Sequence, residues 1–206
     1  MNGKNPALVM IDIQNDFCPG GALAVTDGDA VVPIANSLQS HFGVRILTQD
    51  WHPSDHSSFA DNHAGGQPFS MVEMPYGAQI LWPRHCVIGS GGAAFHDDLV
   101  TDSADLVIRK GFRSEIDSYS AFFENDKTTQ TGLAGYLRER AVDHLYLTGL
   151  ATDFCVYYSA LDGVKQGFGV TLVSDACRGI DLDGSQQAAM NDMAAHGITF
   201  TTSDRI

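Results

Sequence analysis

Short apolar segments alternate with longer amphipathic segments along most of the chain. The short segments are rich in Val, Leu and Ile, and several are nearly continuous apolar runs, as strands covered on both faces require. Six of them are predicted strands: Ala7 to Asp12, Val44 to Thr48, Asp105 to Arg109, His144 to Thr148, Gly169 to Ser174 and Ile198 to Thr201. The amphipathic segments predict four helices: Asp29 to His41, Gly132 to Ala141, Asp153 to Gln166 and Asp183 to His196.

This alternation of strands and helices is typical of α/β proteins. Because strand–helix–strand connections place the strands in parallel, we expect a three-layer α/β fold. Its centre is a mostly parallel six-stranded sheet, with helices on both faces. The length of 206 residues favours one domain. Residues 51–101 are the exception, since they are rich in Pro and Gly and show no clear period. A long irregular segment in a compact domain is usually functional.

The net charge of the chain argues against two classes of binding partner. The chain has 12 Lys and Arg against 25 Asp and Glu, a formal net charge of −13. Such a surface repels phosphate backbones and anionic lipid, so we expect neither nucleic acid nor membrane as a partner. Residues 1–6 lack a leader pattern, and the four cysteines are too few for a disulfide scaffold. We therefore expect a cytoplasmic protein with free thiols.

Four of the predicted strands end at, or run into, segments with reactive side chains. Ligands of open parallel sheets bind at the carboxyl ends of the strands, so these side chains are expected to lie together. Each has an ordinary structural explanation as a helix cap, a solvated charge or a small core residue. Their common position at one sheet edge favours a functional site that contains Asp12, Asp50 with His52, Lys110 and Cys155.

Cys155 has the features of a nucleophile. It is expected in the first turn of a helix that begins near Asp153, where the positive end of the helix dipole favours a thiolate. We therefore expect a pKa below the free value of about 8.5. The N–H groups of that turn could hold an oxyanion. Asp12 is the expected proton acceptor, and Lys110 is the cation that orients it.

A metal site is the second prediction. Asp50 and His52 are spaced as two ligands in an extended segment, and His85 is the best candidate for the third, with His56 and His63 behind it. One oxygen and two imidazoles suit Zn²⁺, Fe²⁺ or Mn²⁺.

Five segments, in order along the chain, carry a family resemblance: Ile11 to Phe17 (IDIQNDF), Asp50 to Pro53 (DWHP), Trp82 to Cys86 (WPRHC), Arg109 to Gly111 (RKG) and Gly149 to Cys155 (GLATDFC). Together they resemble the nicotinamidase/pyrazinamidase group of the isochorismatase-like cysteine hydrolases. The resemblance implies a single Rossmann-type hydrolase domain over residues 1–206, with a metal- and substrate-binding insertion at about 51–101. It leaves a homo-oligomer open.

The activity that this resemblance implies is hydrolysis of nicotinamide to nicotinate and ammonia through a cysteine thioester, in NAD salvage, with pyrazinamide as a further substrate. It implies one divalent metal ion, Zn²⁺ first and Fe²⁺ or Mn²⁺ as alternatives. The residues that match are a catalytic triad of Asp12, Lys110 and Cys155, metal ligands Asp50, His52 and His85, and ring-binding aromatics Phe17, Trp82 and Tyr119.

The resemblance also implies a backbone feature near the nucleophile. A cis peptide bond is implied between Leu150 and Ala151, and it turns the N–H groups of Ala151 and Cys155 toward the oxyanion. Phe154 stands where other members often have His, and we expect little effect because its side chain should face away from the sulfur.

Three alternatives stay open at this point. Another superfamily hydrolase, such as an isochorismatase or a carbamoyl-amide hydrolase, would share the triad but has no evident need for the metal ligands. In a metal–water amidase, Cys155 would be incidental. A non-catalytic relative would not release ammonia from any amide.

Overall fold

The computed structural model describes residues 5–206. The prediction that residues 1–6 lack a leader pattern therefore falls mostly outside the described residues. The strands are β1 Pro6–Ile11, β2 Val44–Asp50, β3 Met71–Met74, β4 Gly77–Ile80, β5 Leu106–Lys110, β6 His144–Leu150, β7 Gly169–Arg178 and β8 Thr199–Thr201. The α-helices are α1 Val31–Leu38, α2 Leu133–Glu139, α3 Tyr157–Lys165 and α4 Ser185–Ala195.

Six strands form one sheet in the order β5-β2-β1-β6-β7-β8. Each pairing within it is parallel. The predicted α/β fold with a six-stranded parallel sheet is therefore confirmed. From β1 the chain builds outward through β2 and β5, and then returns to place β6, β7 and β8 on the other side of β1. The direction of strand order thus reverses between β1 and β6, which is where sheets of this type bind ligands.

The core lies around the central strand β1. Residues 7–11 (ALVMI) are at most 1% exposed, although their side chains alternate between the two faces of the sheet. Both faces of the sheet are therefore covered, as the continuous apolar run predicts. Helix α1 packs against β6 and β7, and α3 packs against β7.

Residues 51–101 contain an antiparallel hairpin of β3 and β4 that the sequence did not predict. Its strands have four residues each, too short for a reliable alternation, and Met71 is 66% exposed. Backbone hydrogen bonds from Phe69 to Leu81 (2.6 Å) and from Leu81 to Ser70 (2.8 Å) close its base. No helix within residues 5–206 is long and apolar enough to cross a membrane.

Two glycines give a matched test of the backbone constraint at the centre of the sheet. Gly149 lies opposite Ile11 with φ +112°, and an added Cβ would collide with the Ile11 backbone. Gly149→Ala should lower the free energy of unfolding by about 2–4 kcal/mol, since it adds a clash and an unfavourable φ. Urea denaturation measures the change.

Gly135→Ala is the control, because Gly135 lies within α2 and a Cβ there meets nothing within 4 Å. It should raise the free energy of unfolding by about 0.5–1 kcal/mol. Equal effects of the two substitutions would contradict the constraint at Gly149.

Candidate active site

The three predicted triad residues meet at the edge of the sheet between β1 and β6. Asp12 follows β1, Lys110 ends β5, and Cys155 lies just beyond β6. Lys110 Nζ is 2.8 Å from Asp12 Oδ2 and 3.4 Å from Cys155 Sγ. Thr48 on β2 donates a hydrogen bond to the other oxygen of Asp12 at 2.6 Å. The side chains of Asp12, Lys110 and Cys155 are buried, with exposures of 0%, 1% and 6% respectively.

The turn that carries Cys155 differs from the α-helix start that the sequence predicts. Thr152–Val156 forms a single π-helical turn, and α3 begins only at Tyr157. The expected cis peptide bond between Leu150 and Ala151 is present. The carboxylate of Asp153 accepts hydrogen bonds from the backbone N–H groups of Ile180 (3.0 Å) and Asp181 (2.8 Å), which tie the turn to the segment after β7.

The expected low pKa of the nucleophile is wrong. Burial raises the pKa of the Cys155 thiol well above its ordinary value, and the charges of Asp12 and Asp50 raise it further, although Lys110 acts in the opposite direction. The helix end therefore does not dominate here, because the sulfur is desolvated and lies near two carboxylates. A thiol whose pKa is raised in this way needs a base in order to react.

Asp12 has the properties of that base. Burial raises the pKa of Asp12 to about 6, with a further increase from Asp50, while Lys110 and the hydrogen bond from Thr48 limit the rise. An atom of its carboxylate lies within 4.8 Å of the Cys155 sulfur. A carboxylate with a pKa near neutrality can both take and return a proton.

Lys110 also contacts Asp50, the first predicted metal ligand. Burial alone would lower the pKa of Lys110, but the charges of Asp12 and Asp50 hold it well above its ordinary value. For Asp50, burial alone would raise the pKa, but Lys110 and His52 hold it below its usual range. The ammonium group therefore joins the triad to the predicted metal ligands.

Asp50, His52 and His85 converge as the sequence predicts. Asp50 Oδ2 is 3.6 Å from His52 Nε2 and 3.9 Å from His85 Nε2. The Nδ1 atoms of these histidines face backbone carbonyls, those of Gly111 (2.8 Å) and Pro83 (2.7 Å). A carbonyl can only accept, so it selects the tautomer with a proton on Nδ1 and leaves the Nε2 lone pair for a metal. Burial and His52 also lower the pKa of His85 to about 4. These residues fit a divalent ion.

His56 and His63, the other two histidines considered as metal ligands, have different surroundings. His56 lies with His52 and Asp117 in a second cluster of three adjacent ligand atoms, but its Nδ1 contacts the Ser58 hydroxyl at 2.7 Å. His63 contacts the Ser57 carbonyl at 2.6 Å. Asp117 is a buried site residue that the sequence analysis missed, since no strand precedes it and no motif contains it.

A cavity opens beside the metal ligands and the nucleophile. The three predicted aromatic residues line it, together with the predicted metal ligands and, from the triad, Cys155. The lining comprises Phe17, Leu23, Asp50, His52, Trp82, His85, Asp117, Tyr119, Ala151, Phe154, Cys155 and Ile180. Its aromatic walls suit a small planar ring.

Phe154 was expected to have little effect because its side chain should face away from the sulfur, but its ring lines the cavity. The ring lies against Trp82, with centroids 4.9 Å apart, and against Tyr119 at 5.7 Å. The expectation assumed the residue spacing of an α-helix, whereas the π turn has more residues per turn and so changes side-chain directions. Phe154 therefore forms part of the cavity wall.

Known proteins are similar to this chain along nearly its whole length. Residues 6–205 match the isochorismatase domain family. The nicotinamidase of Acinetobacter baylyi is 50% identical over 203 residues, covering 98% of this chain and 95% of the relative.

Solved structures extend the comparison to three dimensions. The structure of an Acinetobacter baumanii nicotinamidase/pyrazinamidase superimposes with a TM-score of 0.97 and 53% identity, covering 100% of this chain and 99% of that one. The pyrazinamidase of Pyrococcus horikoshii in complex with zinc has a TM-score of 0.78 and 35% identity, with 96% and 99% coverage.

Proposed function

The chain belongs to the isochorismatase domain family, and we propose that it is a nicotinamidase that hydrolyses nicotinamide to nicotinate and ammonia. The observation that carries this function is that Cys155, two imidazoles and a carboxylate line one small aromatic cavity. Asp12 and Lys110 adjoin Cys155 without lining the cavity, with Lys110 Nζ 2.8 Å from Asp12 Oδ2 and 3.4 Å from Cys155 Sγ. The reaction is a step of NAD salvage, and pyrazinamide, which has a similar ring amide, is a second substrate.

The chemistry proceeds through a thioester. Asp12 takes the proton of the Cys155 thiol as the sulfur attacks the amide carbon, and Lys110 keeps the carboxylate in place. The N–H groups of Ala151 and Cys155 hold the oxyanion. Asp12 then gives the proton to the departing ammonia. It next removes a proton from a water molecule, which attacks the thioester, releases nicotinate and restores the thiol.

The substrate ring occupies the aromatic part of the cavity, between Phe17, Trp82 and Tyr119. Asp50, His52 and His85 would hold one divalent ion, Zn²⁺ or else Fe²⁺ or Mn²⁺, and the zinc complex of the Pyrococcus horikoshii relative supports zinc. In that position a bound ion would supply Lewis-acid attraction for the ring nitrogen, which would orient the amide.

Residues 51–101 supply His52, Trp82 and His85 to this site. We regard them as the metal- and substrate-binding insertion of a single hydrolase domain over residues 1–206. The cysteine usage of the chain supports the cytoplasm as the compartment of the enzyme.

The covalent mechanism is tested by replacing the nucleophile. Cys155→Ala should lower kcat by roughly a thousandfold or more, because no other group can form the acyl intermediate. Cys155→Ser should be similarly inactive, since Asp12 is a weak base for a hydroxyl. Ammonia release from nicotinamide is the assay, with metal content measured in the same samples.

Cys177→Ala is the matched control, because this second buried cysteine lies on β7, outside the cavity lining. It should keep kcat near the wild-type value. A Cys155→Ala variant with more than a few percent of wild-type activity would contradict the thioester mechanism.

The base is tested by the pH dependence of kcat/KM. Asp12 must be ionised to take the thiol proton, and its pKa is raised to about 6 by burial. As the pH falls through about 6 the carboxylate is protonated, so kcat/KM should drop about tenfold for each further pH unit. Steady-state rates between pH 4.5 and 8, with bound metal quantified at each pH, measure the profile. A flat profile down to pH 5 with metal retained would exclude Asp12 as the base.

The metal ligands are tested by elemental analysis. Replacement of Asp50, His52 or His85 by Ala should each lower bound metal severalfold, because a three-ligand site loses a third of its protein donors. His63→Ala is the control and should keep the wild-type metal content, since its imidazole contacts the Ser57 carbonyl instead. Full metal content in His85→Ala would refute the assignment.

A further inference from the structure

The β3–β4 hairpin places one polar side chain behind the cavity wall. Gln79 on β4 is only 1% exposed, whereas the hairpin otherwise lies largely at the surface. It belongs to neither the triad nor the metal ligands. A buried amide is retained at little cost only when its donors and acceptor are paired, so its partners indicate what it holds in place.

The amide of Gln79 lies at the centre of a buried hydrogen-bond network. Its Nε2 faces three acceptors, which are Asp117 Oδ2 at 2.8 Å, the Tyr119 hydroxyl at 2.9 Å and the Ile80 carbonyl at 2.8 Å. Its Oε1 accepts from the Tyr76 hydroxyl and from Asn125 Nδ2, both at 3.2 Å. Because the carboxylate of Asp117 only accepts hydrogen bonds, the –NH₂ group must face it, and this sets the orientation of the amide.

The same network reaches the aromatic wall of the cavity. The Tyr119 hydroxyl also accepts a hydrogen bond from Trp82 Nε1 at 3.0 Å. Trp82, Tyr119, Gln79 and Asp117 therefore form one chain of hydrogen bonds, and three of these four residues line the cavity. Gln79 is the member outside the cavity, and it joins the aromatic residues to the carboxylate.

The far end of this chain lies beside the metal ligands. Asp117 clusters with His52 and His56, with ligand atoms within 4.8 Å of one another. The Gln79 amide thus joins the aromatic wall to a carboxylate that lies beside the predicted metal ligand His52. If the amide is lost, the phenol loses a donor and can shift, and Asp117 loses a partner for Oδ2.

We propose that Gln79 is a positioning residue that holds Tyr119 and Trp82 at the spacing a nicotinamide ring requires. This inference rests on the proposed function. The aromatic wall contacts the ring and not the reacting carbonyl, so its contacts are equal in the ground state and the transition state. Losing such uniform binding raises KM and leaves kcat unchanged.

Gln79→Met is the test, since Met has a similar length and volume but no hydrogen-bonding amide. KM for nicotinamide should rise about tenfold, which corresponds to the loss of one to two hydrogen bonds. We expect kcat to stay within about threefold of wild type and metal content to be unchanged. Gln67→Met, the same substitution at an exposed glutamine of the neighbouring loop, should have the wild-type KM.

Tyr119→Phe completes a double-mutant cycle, and Gln79→Leu replaces Gln79→Met if that variant does not fold. Tyr119→Phe should raise KM by a similar factor, because it removes the hydroxyl that Gln79 and Trp82 contact. The double variant should be little worse than either single variant, because both break the same network. Additive effects on KM, or a fall in kcat at wild-type KM, would show a purely structural role for Gln79 and overturn the inference.

The wild-type enzyme separates this inference from the function on which it rests. Wild type that releases no ammonia from nicotinamide refutes the proposed function, and the positioning role with it. Active wild type with an unchanged KM in Gln79→Met, or in Gln79→Leu where only that variant folds, refutes only the positioning role.

Discussion

The triad and the predicted metal ligands both depend on the ion pairs of the buried Lys110 ammonium group. It contacts Asp12 and Asp50, and all three side chains are almost completely excluded from solvent. Two adjacent carboxylates in such an environment cannot both stay ionised without a cation, because the cost of desolvation and their mutual repulsion would force one to take a proton. Lys110 therefore allows a base and a metal ligand to lie side by side.

The same cation helps to give Asp12 and Asp50, which have the same side chain, different pKa values. Burial raises the pKa of Asp12 to about 6, while Lys110 and His52 outweigh burial and hold the pKa of Asp50 below its usual range. Asp12 can therefore exchange protons near neutral pH, whereas Asp50 stays anionic and available to a metal. Neighbouring titratable groups whose pKa values are pushed apart are a common sign of distinct acid–base roles.

The local backbone departs from ordinary preferences where the site is built. Asp12 has φ +48°, a left-handed conformation that is uncommon for residues other than Gly, and the Cys155 turn is π-helical. Such departures persist only where the surrounding fold enforces them, and they concentrate at functional sites. Here the enforcement comes from the packed strands β1 and β6 and from hydrogen bonds to Thr48 and Asp153.

The sequence by itself determined the six parallel strands and the residues that follow them. Apolar runs predict strands buried on both faces, and residues at the carboxyl ends of such strands must share one edge of the sheet. Asp12, Asp50, Lys110 and Cys155 could therefore be placed together without coordinates. The five sequence motifs likewise indicated the family without coordinates.

Only the tertiary structure decided how these groups behave and what stands behind them. The raised pKa of Cys155 comes from desolvation by the whole fold, which no local pattern encodes. The direction of Phe154 depends on a turn whose hydrogen bonds differ from those of an α-helix. Gln79 and Asp117 are 38 residues apart, on elements too short or irregular to predict. Their contact exists because folding brings distant segments together, and such contacts leave no periodic signal in the sequence.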